Sequence, residues 1–179
     1  MISRIPAIET VRLLLRPFTI ENAPAVHGLL AEPEISETTL NVSYPYPEGA
    51  AEAWISSHEQ QAEDDQAFHW AIVRNGDDLL IGAIGLGLDQ RHARGSLGYW
   101  LGVPFWNLGY MSEAALAVTR HALESLSLHR VESSCFPRNS PSAKVMTNAG
   151  LTYEGTLKGY VRKGEVFEDL AMYALVAPN

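Results

Sequence analysis

The sequence predicts a mixed α/β fold of the α+β type, with a largely antiparallel first half. Three observations carry this. The chain has 179 residues, 46% of them hydrophobic, which is the size of one domain and enough to bury a core without disulfides or metal. Short apolar segments switch between strand and helix periodicity in the order β-α-α-β-β-β-α-β-α-β-β. No repeat, low-complexity tract or Gly/Ser/Pro-rich linker divides the chain, so residues 1–179 are read as a single domain.

The elements follow in order. Residues 11–16 form a strand stopped by Pro17. Thr19 caps a helix whose apolar positions are Ile20, Ala23, Val26, Leu29 and Leu30. Residues 31–48 carry Pro33, Pro45 and Pro47 and read as an extended, irregular connection. A second helix spans residues 48–63, with Trp54 and Ile55 inward. Strands at 68–73 and 79–88 are joined by the tight turn Asn75-Gly76-Asp77. A polar turn at 89–95 leads into a strand at 96–103. Residues 111–126 form an amphipathic helix with Met111, Ala115, Val118, Ala122 and Leu126 on one stripe. Residues 129–136 alternate as a strand. Asn139 or Ser140 then caps a short helix with Pro141 in its first turn, ended by a left-handed Gly150. Two last strands turn at Lys163-Gly164-Glu165, and their exposed edges would suit a homodimer.

Composition excludes several classes of function. Net charge is −8, the reverse of what a nucleic-acid binder carries. The longest nearly apolar run, residues 79–88, holds three glycines and is too short to span a bilayer. With no signal pattern in the first thirty residues, the expectation is a cytoplasmic protein that does not act on membranes. The single Cys135 excludes an intramolecular disulfide. The six histidines lack ligand spacing, so no metal is expected. His69 alternates with Phe68 and Trp70 and is read either as facing a groove or as structural.

The charge is unevenly placed. Residues 17–73 contain no Lys or Arg and ten acids, among them Glu34 and Glu37, whereas the rest of the chain has 13 basic and 11 acidic residues. Either these acids keep a surface solvated, or they rim a site for a cationic partner.

The stretch Phe105-Trp-Asn-Leu-Gly-Tyr-Met-Ser-Glu-Ala114 runs from a strand end through a glycine loop into a helix. Amides at such a helix start lack intrahelical partners, and the dipole adds positive charge, so the junction suits a phosphate. It lacks the Lys-Ser/Thr of a Walker loop and the three glycines of a dinucleotide fingerprint.

Gly98-Tyr-Trp-Leu101, Trp106-x-x-Gly109-Tyr110-x-Ser-Glu-Ala114, Asn139-x-x-Ser142-Ala143 and Gly150-Leu-x-x-Glu-Gly155 resemble the GNAT acyltransferase superfamily. They are most similar to its branch of ribosomal-protein N-terminal alanine acetyltransferases. The resemblance runs from Arg12-Leu-Leu-Leu-Arg16 to Asp169-x-x-x-Tyr173. It implies a central twisted sheet, mostly antiparallel, flanked by helices, and acetyl-CoA as acyl donor. The pyrophosphate would rest on the loop of Asn107, Leu108, Gly109, Tyr110, Met111 and Ser112. The pantetheine arm would lie along the strand that includes Leu101 and Val103, with Asn139 orienting it and Lys144 or Arg138 meeting a phosphate. Asn107 and Met111 depart from the branch pattern, which favours Gly and a small residue there.

Acylation of an amine needs a neutral nitrogen, a stabilised oxyanion and a stabilised thiolate. The resemblance implies an oxyanion contact from a backbone N–H of the 96–103 strand. Met146 stands where many relatives have a thiolate-protonating Tyr, so Ser142 takes the role of hydrogen-bonding the thiolate; alternatively Ser142 only serves its helix turn. Ser96 stands where many relatives have a Glu base. Ser96, or Glu34 and Glu37 bordering the acceptor, would then relay the proton through water. An α-amine is roughly 10% neutral at pH 7 and a lysine under about 0.1%, so a site without a strong base favours α-amines. The expected acceptor is a protein N-terminus, with a small cationic amine or toxin as the alternative, and a non-catalytic acyl-CoA sensor as the reading from another class.

Overall fold

The structure is a computed structural model that describes residues 4–178. Those residues form one eight-stranded sheet, flanked by helices, in the order β1-β2-β3-β4-β5-β6-β8-β7. The strands are β1 (Ile8–Glu9), β2 (Leu13–Pro17), β3 (Ala67–Arg74), β4 (Leu79–Asp89), β5 (Arg94–Leu101), β6 (Arg130–Cys135), β7 (Thr152–Lys163) and β8 (Val166–Val176). The helices are α1 (Ala23–Leu30), α2 (Pro33–Thr38), α3 (Ala50–Ser56), α4 (His58–Glu63), α5 (Tyr110–Glu124) and α6 (Ser140–Asn148). Every pairing is antiparallel except β5 with β6.

Strand alternation builds two cores. Leu13, Leu15, Trp70, Ile72 and Leu97 pack under α5 and α6 with Met111, Ala115, Val118 and Met146. Ala71, Val73 and Leu80 point the other way, onto Ala23, Val26, Leu30 and Ile55 of α1 and α3. Trp70 is fully buried, and its indole N–H donates to the Pro6 carbonyl at 2.7 Å, so the ring leaves no orphan donor.

Four sequence expectations are corrected. The 31–48 connection holds α2, because Pro33 suits a first turn and Ile35 finds the core. The helix expected over 48–63 breaks at Ser57, whose hydroxyl donates to the Trp54 carbonyl and competes with the helical pattern. Ile20 is 48% exposed, since Thr19–Asn22 closes a 3₁₀ turn before α1 begins. The strand placed at 96–103 runs from Arg94 to Leu101, and Val103 sits in a 3₁₀ turn with Pro104, away from the strand edge.

The β5–β6 pair positions the site. Its ladder holds only Arg94↔Arg130, Gly95↔Val131 and Ser96↔Glu132. Where it ends, the Ser133 hydroxyl donates to the Leu97 carbonyl at 2.9 Å, and the strands diverge. Gly102 N–H donates to the Ile81 carbonyl on the β4 side. Antiparallel alternation therefore turns the main-chain groups of Tyr99 and Leu101 toward the opening. The Leu101 carbonyl is taken by the Trp106 indole N–H at 2.6 Å, which leaves the two N–H groups and the Tyr99 carbonyl facing it.

Candidate active site

Two cavities meet at this opening. The first, about 700 Å³, lies between α6, the start of α5 and β5. The second, about 710 Å³, lies over the opposite face of β3–β5, under α3 and residues 38–47. Tyr99, Trp100, Phe136, Ser142, Thr38 and Thr39 line both. Their roof is fastened from the far end of the sheet: Lys163, in the β7–β8 hairpin, donates to the Ser36 and Thr39 carbonyls. Burial, and then Arg138, hold this ammonium below its ordinary pKa.

The α5 loop is shaped to receive an anion. Asn107 and Gly109 adopt left-handed backbone (φ 61° and 80°), a conformation Asn tolerates better than most residues, so a Gly at 107 is dispensable. The first loop-to-helix bond runs from Glu113 N–H to the Gly109 carbonyl, leaving the amides of Tyr110, Met111 and Ser112 without intrahelical partners. Asn107, Gly109, Tyr110, Met111 and Ser112 all line the first cavity, as do Leu101, Asn139, Lys144 and Ser142. Leu108 does not: its side chain is half exposed, and its carbonyl accepts from Arg12 Nη1 at 2.9 Å. Val103 lines neither cavity.

Arg12 and Glu113 brace this loop, a pairing absent from the sequence reading because 101 residues separate them. Glu113 accepts from Thr10 Oγ1 (2.7 Å), Arg12 N–H (2.8 Å) and Arg12 Nε (2.6 Å). Burial pushes its pKa up, but these hydrogen bonds and the guanidinium outweigh it and hold the carboxyl below its ordinary value.

At the junction, the Tyr99 hydroxyl lies 2.9 Å from Ser142 Oγ and 3.2 Å from the Ser142 carbonyl. Burial keeps the Tyr99 phenol protonated far above its usual range. When the phenol donates to Ser142 Oγ, the serine proton is free to point into the cavity. Asn139 Oδ1 accepts from Ser142 N–H at 3.1 Å and its Nδ2 donates to the Thr38 carbonyl, so it both caps α6 and ties it to α2. Met146 is buried in the core and lines neither cavity. Cys135 lines the second cavity, but burial raises its pKa and keeps it a thiol, which disfavours a covalent relay.

The expected proton acceptors fare differently. Ser96 lines the second cavity, and its hydroxyl faces Glu132 Oε1 at 3.4 Å, a carboxylate brought there by the parallel register. Glu132 is held by Arg130 (2.8 Å) and Arg94 (3.7 Å) and does not line the cavity. Glu34 lines neither cavity, because α2 turns Ile35 inward and leaves Glu34 in solvent. Glu37 lines the first cavity, not the second. Among the described residues lining the second cavity there is no carboxylate, so the acidic surplus does not rim it.

Comparison with known proteins agrees with this geometry. Residues 12–152 match the family described as Acetyltransferase (GNAT) domain. The chain is 29% identical over 170 residues to the uncharacterized N-acetyltransferase p20 of Bacillus licheniformis, covering 94% of this chain and 95% of that one. It is 33% identical over 127 residues to the probable N-acetyltransferase YjcK of Bacillus subtilis, 70% of each. The solved structure of RimL, a ribosomal L7/L12 alpha-N-protein acetyltransferase in complex with coenzyme A, superposes with a TM-score of 0.87 at 20% identity, over 96% of this chain and 98% of that one.

Proposed function

Since this chain belongs to the GNAT acetyltransferase family and is an N-acetyltransferase that uses acetyl-CoA, we propose that its acceptor is the α-amine of a protein or peptide N-terminus, a ribosomal protein being the first to try. The observation that carries this is the second cavity: about 710 Å³, open to solvent, and lined by no carboxylate among its described residues. An acceptor held there must lose its proton without a counter-charge, which an α-amine near pKa 8 does far more readily than a lysine near 10.4. RimL, by its name, acts on such amines, which agrees with this reading. Peptides with a free N-terminus are expected to react at least ~100-fold faster at pH 7 than N-acetylated peptides with a single lysine, in proportion to their neutral fractions. Thiol-release kinetics on matched peptides measures this; equal rates would sink the assignment.

The residues present fit the donor. The amides of residues 110–112 suit its pyrophosphate, the Tyr99 and Leu101 N–H groups suit its extended arm and thioester oxygen, and Ser142 suits its sulfur. When bound, acetyl-CoA supplies a thioester carbonyl open to attack. Glu113→Gln is expected to raise KM for acetyl-CoA about tenfold, as charge-assisted bonds to Arg12 and Thr10 weaken. Acceptor KM should stay put; steady-state titration of each substrate separates the two. The apolar Tyr160, Val166 and Phe167, exposed on the terminal hairpin, support a homodimer.

A further inference from the structure

The floor of the acceptor cavity spans three strands nearly stripped of side chains. His69, Gly85 and Gly98 stand in register across β3, β4 and β5, and the next row is Ala67, Gly87 and Ser96. His69 is the imidazole on this floor. Its ring leans over β4 because Gly85 leaves room: a Cβ there would lie 2.8 Å from His69 Nδ1.

A chain of donors sets which nitrogen carries the proton. The Ser57 hydroxyl donates to the Trp54 carbonyl at 2.7 Å, so Ser57 Oγ can accept from Gln61 Nε2 at 2.8 Å. That fixes the Gln61 amide and presents its Oε1 to His69 Nε2 at 2.9 Å. A carbonyl oxygen only accepts, so Nε2 carries the hydrogen and Nδ1 is left with a bare lone pair. Among the described residues, Nδ1 makes no hydrogen bond.

The surroundings keep the ring uncharged. From α4, His58 stacks on it with centroids 4.3 Å apart, and from α3 comes the Trp54 ring. β4 and β5 bring the bare Gly85 and Gly98. The same cavity holds Tyr46, Tyr99 and Cys135, whose hydroxyls and thiol burial keeps protonated. On β2, Arg16 is turned to the Pro17 carbonyl and Asn22 Oδ1. Burial holds His69 down to about 4 and, with His69 itself, His58 to about 3.

We propose that His69 is the acceptor-side base, its Nδ1 taking the proton that the attacking amine sheds, directly or through one water. This rests on the acetyl-transfer reading above. The C–N bond forms as the C–S bond breaks, and the C–S electron pair leaves on sulfur. The nitrogen turns acidic as it bonds to carbon, so a weakly basic imidazole suffices. The imidazolium then releases its proton to water, and the thiolate collects one, ending as thiol.

The test compares wild type with His69→Gln and Gln61→Glu, using an α-amine peptide and acetyl-CoA. His69→Gln is expected to lower kcat about 100-fold with KM for acetyl-CoA within about twofold. Gln61→Glu places a carboxylate on Nε2–H and makes the ring more basic. Its kcat/KM, corrected for neutral amine, should therefore gain an acid limb displaced to higher pH than in wild type. A histidine that only packs would leave that limb unmoved, so an unmoved limb, or kcat retained in His69→Gln, overturns the proposal. Nitrogen NMR of the wild-type ring gives an answer without turnover. The Nδ1 resonance should be that of an unprotonated nitrogen and should shift when peptide is added to the CoA complex. A protonated Nδ1 or an absent shift overturns the proposal. Failure of wild type to release thiol with any amine would instead overturn the acetyl-transfer reading.

Discussion

Ser142→Ala is expected to lower kcat roughly 10- to 100-fold while the dissociation constant for CoA stays within about threefold. The estimate is one hydrogen bond to a developing thiolate, about 1.5–3 kcal/mol, converted to rate. Tyr99 bears on the same bond, since its phenol lies 2.9 Å from Ser142 Oγ. A phenol held above its usual pKa is a weaker acid than a thiol, so in the proposed role the pair would stabilise the leaving sulfur by hydrogen bonding rather than by handing over a proton. Tyr99→Phe should then lose rate in the same direction. The double variant should be little worse than Ser142→Ala, because the two hydroxyls act as one unit. Thiol-release kinetics with calorimetric CoA binding decides it: unchanged kcat in Ser142→Ala would return this serine to a purely structural role in the first turn of α6.

The second large effect separates two glycines of adjacent strands. At Gly82 a Cβ would stand 2.5 Å from the Trp100 carbonyl and 3.0 Å from Leu101 Cα, both backbone. Gly82→Val must push β4 from β5, and a loss of about 3 kcal/mol or more is expected. At Gly98 a Cβ would meet nothing within 4 Å. Gly98→Val should fold as well as wild type or better, by up to about 1 kcal/mol, since a β-branched residue suits a strand and narrows the unfolded ensemble. It also raises an isopropyl group from the floor of the second cavity, where the acceptor is proposed to sit. A fall of about 100-fold in kcat/KM for the acceptor is expected, equivalent to about 2.7 kcal/mol, with acetyl-CoA affinity retained. Thermal unfolding and kinetics on the purified variants check both halves. A fully active Gly98→Val would place the acceptor elsewhere.

Periodicity made the long elements legible: the stripe from Met111 to Ala122, the turns at Gly76 and Gly164, and the Asn139 cap all stand where spacing put them, although α5 ends at Glu124 and leaves Leu126, the last position of the expected stripe, beyond it. Elements set by contacts rather than local pattern were not legible. β1 is two residues long and exists because Ile8 and Glu9 find Leu15 and Leu14. The glycine loop that opens α5 was legible, since a glycine between strand and helix is a local signal. Its brace was not, because Arg12 reads as part of a strand until the fold brings Glu113 to it. The role of the Tyr99 hydroxyl was not legible either, because it has meaning only beside Ser142, 43 residues on. The acidic segment misled for the opposite reason. Its carboxylates cluster in sequence, but α2 turns Glu34 outward and Glu37 toward the first cavity, so a clear charge asymmetry in the chain places no carboxylate among the described residues that line the second.

The three-rung β5–β6 ladder has a consequence beyond catalysis. It is the one main-chain ladder between the sheet's β1–β5 portion and its β6–β8–β7 portion among the described residues, and it ends where the cavities begin. A donor held, as proposed, by Tyr99 and Leu101 on one side and α6 on the other would work as a splint across a seam. Binding linkage then adds about 2.7 kcal/mol of stability at a hundredfold excess over its dissociation constant. Thermal unfolding is therefore expected to move to higher temperature as acetyl-CoA is titrated in, and a midpoint that does not move would show that the seam needs no splint.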